Sequence, residues 1–402
     1  MAEIVIRFRY FSILLFLASS SVAAEDAIPR PKPVKPPSAK SLETSIRRGV
    51  DFLLRRQNKD GSWGTARRTK DLNIVAPVPG SHFSYRAAVT SMVVSALIES
   101  GDPRKSVTSA IERGERWILT NLANVRRGSA GVLYCVWAHA YGIQALVRMH
   151  ERVPNDEARR KKIEDEIAVQ VKLLQRTDSV GGGWGYYNFL YNTQKPVKMM
   201  TSFTTATVLV ALAEAIEIGV KVPKGLTDAG IVSLKRQRKR DFSYLYHEGH
   251  SKRPMGLINR PAGSLGRSQV CNLALRTWGD EKITDQVLID WLDRLVARNM
   301  WLDIGRKRPI PHESHFQIAG YFYYYGHYYA ALCIKQLPKK QQPRLQAHLA
   351  VILMRHQDRD GCWWDFPLYD YHQQYGTAFA VMSLVRCRTA SPVKAGPPEG
   401  QK

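Results

Sequence analysis

Two histidines three positions apart, His312 and His315 in the run Pro311-His312-Glu313-Ser314-His315-Phe316, are suited by type to acid–base chemistry or to metal binding. They could share a metal ion, or one could serve as a general base while Glu313 orients its ring. The spacing is not the His-Glu-x-x-His of metalloproteases, and surface or helix-capping groups are the plainer reading. Just beyond, Tyr321, Tyr325 and Tyr328 recur at helical spacing, and seven aromatic residues fall between Tyr321 and Tyr329. Such a stripe is either ordinary core or an aromatic wall that accepts an apolar chain and holds positive charge over its ring faces. The basic run Lys235-Arg236-Gln237-Arg238-Lys239-Arg240 reads as a solvated helix face before it reads as a phosphate or lipid site.

What positions these groups is bounded by composition. The chain has 402 residues, of which 44% are hydrophobic, enough for one large core and too many for a disordered chain. Lys plus Arg exceed Asp plus Glu by 24, so the surface should attract anions such as diphosphates, acidic glycans or lipid headgroups. There is no zinc-finger spacing, no glycine-rich phosphate loop and no alternating basic-aromatic run, and nucleic acid is not expected as a partner. Arg7 and Arg9 precede a short apolar run from Phe11 to Ala18, followed by Val22-Ala23-Ala24. Residues 1–24 therefore read as a signal peptide, which implies a periplasmic or secreted protein. No later stretch reaches the roughly 18 apolar residues of a membrane helix, so at most peripheral membrane contact is expected. Residues 25–40, with five prolines and three lysines, read as an extended tether, and residues 389–402 as a disordered tail. Five cysteines are too few to staple a chain of this size; Cys362 with Cys387 is a conceivable bridge, and buried free thiols are the alternative.

Four segments end in similar lettering at Gln57, Gln175, Gln237 and Gln357, spaced by 118, 62 and 120 residues, which gives units of about 60 residues. The helices between these marks alternate in kind. RRKKIEDEIAVQVKLLQ places Ile163, Ile167, Val171 and Leu174 on one face, whereas SFTTATVLVALAEAIEIG from Ser202 is apolar nearly all round and must be enclosed. Amphipathic helices are expected near 41–56, 107–122, 157–176, 226–238, 283–299 and 340–356. Enclosed ones are expected near 85–100, 131–150, 201–219, 264–278, 316–336 and 374–388. Strict alternation implies an all-α, α6/α6 toroid: a double ring of six helical hairpins in a single domain over residues 41–388, with an open superhelix as the alternative. In a double ring the enclosed helices run parallel, and their first turns meet around one mouth. That would gather His82, Tyr85, Tyr134, Ser202, Thr204, Arg267, Gln269, His312, His315, Tyr371 and His372, with Tyr321, Tyr325 and Tyr328 facing the axis or the gap between the rings.

Gln57-Asn58-Lys59-Asp60-Gly61-Ser62-Trp63 and Gln357-Asp358-Arg359-Asp360-Gly361-Cys362-Trp363 carry one pattern, Gln-x-x-Asp-Gly-x-Trp, and Gln175 through Trp184 carries a stretched version. This lettering resembles the squalene cyclase and protein prenyltransferase superfamily, and the resemblance implies the α6/α6 toroid over residues 41–388. The acidic Asp-x-Asp-Asp with which triterpene cyclases protonate an alkene is absent; the matching helix starts Met200-Thr201-Ser202-Phe203-Thr204-Thr205-Ala206. Protein prenyltransferases hold zinc through an Asp, a Cys two positions on and a distant His, and Asp360, Cys362 and His372 resemble that trio, so zinc is a conceivable cofactor here. The resemblance favours a central cavity that binds an isoprenoid-like or other elongated ligand, with Arg267 and the histidines meeting an anionic end. His312, His315, His372, Tyr371 and Arg267 would then be the catalytic candidates. Two further readings stay open: a lyase or hydrolase acting on an acidic glycan, and a non-catalytic scaffold of the cell envelope.

Overall fold

The amphipathic segments fold as half-wetted helices because their apolar positions recur every three or four residues. In α1, Ala39–Arg55, Leu42, Ile46, Val50 and Leu53 are buried, and Ser38 caps the helix by accepting from the Ser41 N–H at 3.1 Å. The computed structural model describes residues 28–69, 78–188, 193–197 and 199–388. Outer helices of this kind are α1, α3 (Lys105–Asn121), α5 (Glu157–Thr177), α7 (Lys224–Gln237), α9 (Asp285–Ala297) and α11 (Gln342–Arg355). Between them stand α2 (Pro79–Ser100), α4 (Cys135–Glu151), α6 (Ser202–Glu217), α8 (Leu265–Thr277), α10 (Phe322–Gln336) and α12 (His372–Val385). From Ser202 to Leu212 every residue of α6 is buried, as an enclosed helix requires.

The inner helices pack in cyclic order, α2 on α4, α4 on α6, α6 on α8, α8 on α10, α10 on α12, and α12 back on α2. Each outer helix packs on an inner neighbour, and α1 joins the last inner helix to the first by touching both α12 and α2. The fold is an α/α toroid; β-structure among the described residues is confined to isolated bridges.

A repeated hook after an outer helix fixes the register. Trp63, Trp184 and Trp363 each donate Nε1–H to a carbonyl ten residues back, on Leu53, Leu174 and Leu353, at 2.8 to 2.9 Å. Each also donates its backbone N–H to a threonine hydroxyl of the following inner helix, Thr90, Thr205 and Thr377. Tyr244 occupies the same place in a fourth unit. Asp241 accepts from the Ser243 N–H as Asp60 does from Ser62 and Asp360 from Cys362, and Phe242 takes the positive φ that Gly61 and Gly361 take elsewhere. The spacings of these aromatics, 121, 60 and 119, mark the period more sharply than the glutamines. Counted from Trp184, the counterpart of Gln57 is Asp178, so the third unit is not stretched and Gln175 lies outside the pattern.

Each indole lies over a glycine of the next outer helix. A Cβ on Gly49 would stand 2.8 Å from the Trp363 ring and 2.7 Å from Val381, so the last hook seats on the first helix. Alanine favours a helix over glycine by about 1 kcal/mol. At Gly49 the clash is expected to outweigh that preference, and Gly49→Ala should cost about 1–3 kcal/mol in a thermal melt; a rise in melting temperature would contradict the packing.

Several expectations are corrected. The helix expected from 316 starts at Phe322, because residues 305–321 form a loop in which Lys307, His312 and Gln317 have positive φ. The first enclosed helix starts at Pro79 rather than 85. All five cysteines are buried and free, so Cys362 and Cys387 are not bridged. Of the tether, residues 28–38 are non-helical and are fastened to the ring, where Arg30 donates to the buried Asp293 at 2.8 Å. The signal segment and the tail fall outside the described residues. No helix among the described residues is long and apolar enough to cross a membrane.

Candidate functional site

The N-terminal parts of α2, α4, α6, α10 and α12 line one cavity of about 480 Å³, to which α8 contributes no residue. Thirteen of its nineteen lining residues are Phe, Tyr or Trp, so its chemistry is set by ring faces and phenol hydroxyls. Tyr85 (α2), Tyr134 just before α4, Trp137 (α4), Phe203 (α6), Phe322 and Tyr325 (α10), and Tyr375 and Phe379 (α12) form the wall. Met92 and Tyr141 lie deeper. The rings meet mostly edge to face, as Phe203 does with Phe322 at 4.9 Å and with Tyr246 at 5.2 Å.

The lip carries the polar groups. His312 donates from Nδ1 to the Gln317 carbonyl at 2.6 Å, which leaves Nε2 to accept from the Tyr321 hydroxyl at 3.2 Å. Tyr321 in turn bonds the Tyr246 hydroxyl at 3.2 Å, and Tyr246 bonds Tyr186, so a string of hydroxyls ends on a neutral imidazole. Burial pushes the His312 pKa down and those of Tyr186, Tyr246 and Tyr321 up, so every member of the string is uncharged at neutral pH. No Asp, Glu, Lys or Arg is among the described lining residues.

One carboxyl stands immediately behind the wall. Asp365 is wholly buried; it accepts from the Tyr375 hydroxyl at 2.6 Å and from the Tyr324 N–H at 3.0 Å. Burial raises its pKa to about 7 despite those hydrogen bonds.

Below the cavity the axis is closed. Tyr329 donates to Thr207 at 3.3 Å, and beneath Tyr328 lies a four-membered ionic cluster in which Arg148 and Arg386 both bind Glu99 and Arg148 also binds Glu214. Burial raises the Glu99 pKa, but Arg386 and Arg148 more than offset this and hold it at about 2.

The expected site residues divide as follows. Tyr85, Tyr134, His312, Tyr321 and Tyr325 line the cavity. His82 and Tyr371 meet at its rim, where the Tyr371 hydroxyl reaches His82 Nδ1 at 3.3 Å. Tyr328 lies below the floor against Phe379 and Arg386. Ser202, Thr204 and Gln269 are buried and committed elsewhere: Ser202 donates to the Leu245 carbonyl, Thr204 accepts from Thr201, and Gln269 donates to Trp291 on the neighbouring outer helix. Arg267 is 2% exposed and is not among the residues that line the cavity. Its guanidinium serves the carbonyls of Tyr244, Gly263 and Ile258 behind the Tyr246 ring, and burial lowers its pKa to about 10.

His315 is exposed and stacks near Trp301 rather than joining His312. The zinc trio is not assembled. Asp360 is the hook's turn carboxylate, the Cys362 thiol is pushed up by burial and lies 3.9 Å from Asp358, and His372 donates to the Tyr369 carbonyl. Among the described residues no three potential ligands converge on a metal position.

Sequence reasoning missed Trp137, Tyr186, Tyr187, Phe203, Phe322, Phe366, Tyr375 and Phe379. A signal existed for some of them: Tyr186, Tyr187 and Phe366 stand two or three positions after a hook tryptophan.

No family model matches the chain. Among solved structures it is similar to a protein described as a possible member of the GH105 family from Klebsiella pneumoniae, with TM-score 0.51 and 11% identity over 89% of this chain and 95% of that one. It is also similar to an inactive variant of the GH76A alpha-1,6-mannanase of Salegentibacter sp. HEL1_6 in complex with alpha-1,6-mannotriose, with TM-score 0.51 and 10% identity over 86% and 99% of the two chains. A third structure, the type II terpene cyclase MstE from Scytonema, aligns with TM-score 0.49 and 13% identity over 87% and 98%. At these identities the likeness concerns the fold, the α/α toroid.

Proposed function

We propose that the central cavity binds an elongated, uncharged apolar molecule of isoprenoid type, entering tail first and leaving a hydroxyl or carbonyl at the lip. The observation that carries this reading is the lining, thirteen aromatic rings with no ionised side chain. A buried anionic end would meet no cation among the described lining residues, whereas an apolar chain gains about 25 cal/mol for each Å² it removes from water. Tyr321 and His312 supply a donor and acceptor pair at the entrance. Ring faces of this density also favour a positive charge that forms on a bound chain.

The glycan reading is less well supported. Hydrolysis of a glycosidic bond uses two carboxyl groups flanking it, and no carboxylate is among the described lining residues. A lyase acting on uronates needs a cation beside the sugar carboxylate, and Arg267 is spent on backbone carbonyls.

Trp137 in the wall supplies the assay. Farnesol or geranylgeraniol is expected to change its fluorescence saturably, and Ala88→Phe, which fills space in the α2 wall, should abolish that response while the melting temperature stays within a few degrees. Failure of both alcohols and of plain alkyl chains to give saturable binding would remove the proposal.

A further inference from the structure

A second, chemically opposite pocket lies between α4 and α5, outside the aromatic cavity. Its volume is about 570 Å³, and it is lined among others by Arg126, Arg127, Arg176, Lys195 and His139. This unit lacks a hook aromatic. At the pocket wall His139 Nδ1 bonds Gln170 Oε1 at 2.6 Å.

The charges here are poorly balanced. Lys195 pairs with Asp178 at 2.9 Å, but no carboxylate among the described residues pairs with Arg126, Arg127 or Arg176. Arg126 and Arg127 donate only to backbone carbonyls, of Ala123 and Val125 and of Ala130, Thr193 and Gln194 respectively. The Nε–H of Arg127 is shut off from solvent with no acceptor. Arg126 and Arg176 are exposed and line the pocket, and guanidiniums without a carboxylate beside a cavity are met most simply by an oxyanion.

We infer that this pocket is an oxyanion site for a phosphoryl group. The Arg126 and Arg176 guanidiniums supply the donors. His139 decides in favour of phosphate over carboxylate: with Nδ1–H given to Gln170, Nε2 is an acceptor without a protein partner, and it can take a hydrogen bond from a P–OH, which an ionised carboxylate cannot offer. The site is independent of the proposed lipid cavity, and Ala88→Phe leaves it intact.

The phosphoryl group has two sources, a soluble phosphorylated molecule or a lipid headgroup, and the test separates them. The full chain is titrated calorimetrically with inorganic phosphate at constant ionic strength, with chloride as control. It is also sedimented with phosphatidylcholine vesicles containing phosphatidic acid. Arg176→Gln, at an exposed position, and Arg126→Gln should each weaken phosphate binding by about tenfold without shifting the melting temperature. Phosphate binding without vesicle binding supports a soluble ligand. Vesicle binding that phosphate displaces and Arg176→Gln weakens supports a headgroup. Absence of both, or binding that neither substitution changes, overturns the assignment.

Discussion

Trp363→Ala is expected to destabilise the protein by about 3–5 kcal/mol, the range for removing a large buried aromatic side chain. Trp363 is wholly buried, donates to Leu353 and lies over Gly49 and thus over α1, more than three hundred residues earlier in the chain. Trp63 makes the same set of contacts with its local successor helix. The two truncations should therefore differ in where the fold opens first. Trp363→Ala frees α1 from the last unit, so amide hydrogens of residues 39–55 should lose their exchange protection ahead of the rest. Trp63→Ala should loosen the seam between α1, α2 and α3 while the contacts of α1 with α12 persist. Equal protection of residues 39–55 in the two variants would count against a ring closed by this hook.

The second large effect concerns pH. Asp365 has an unfolded pKa near 3.8 and a folded pKa of about 7, raised by burial. Between those values the folded protein holds a proton that the unfolded chain has released, so the contribution of Asp365 to stability falls as pH rises through that window and levels off above it. The shift corresponds to at most about 4 kcal/mol at 1.36 kcal/mol per pKa unit. Asp365→Asn mimics the protonated carboxyl: its amide can donate to the Tyr375 oxygen while its carbonyl accepts from the Tyr324 N–H. Urea unfolding followed from about pH 4 to pH 8 should show Asp365→Asn gaining stability relative to the natural protein as pH rises, while buried histidines such as His139 and His327, lowered to about 4, add the same opposite slope to both profiles. Parallel profiles would sink the assignment.

The toroid was legible because it is written twice, in the alternation of half-wetted and enclosed helices and in the spacing of the hooks. The mouth was legible as a place but not as a set of residues. An inner helix such as α6 is apolar on every side, so its sequence has no phase from which to learn which side faces the axis. Ser202, Thr204 and Gln269 therefore looked equivalent to Tyr85 and Tyr134, although in the structure they turn to loops and outer neighbours while Phe203 turns to the cavity. Arg267 misled for the same reason; a cation in a first turn reads as a ligand group unless the carbonyls that consume it are known. Asp360 and Cys362 were drawn toward metal chemistry by their spacing, whereas the turn they build explains both residues.

The ionic cork beneath Tyr328 has a kinetic consequence. Among the described residues that end of the axis is plugged, so an occupant departs through the mouth by which it came. Residence time is then governed by the doorway, the loop over residues 305–321 where His312 and Gln317 hold left-handed backbone. Because Pro311, His312 and Tyr321 of that loop also line the cavity, changes to it should alter affinity together with the rates of loading and unloading.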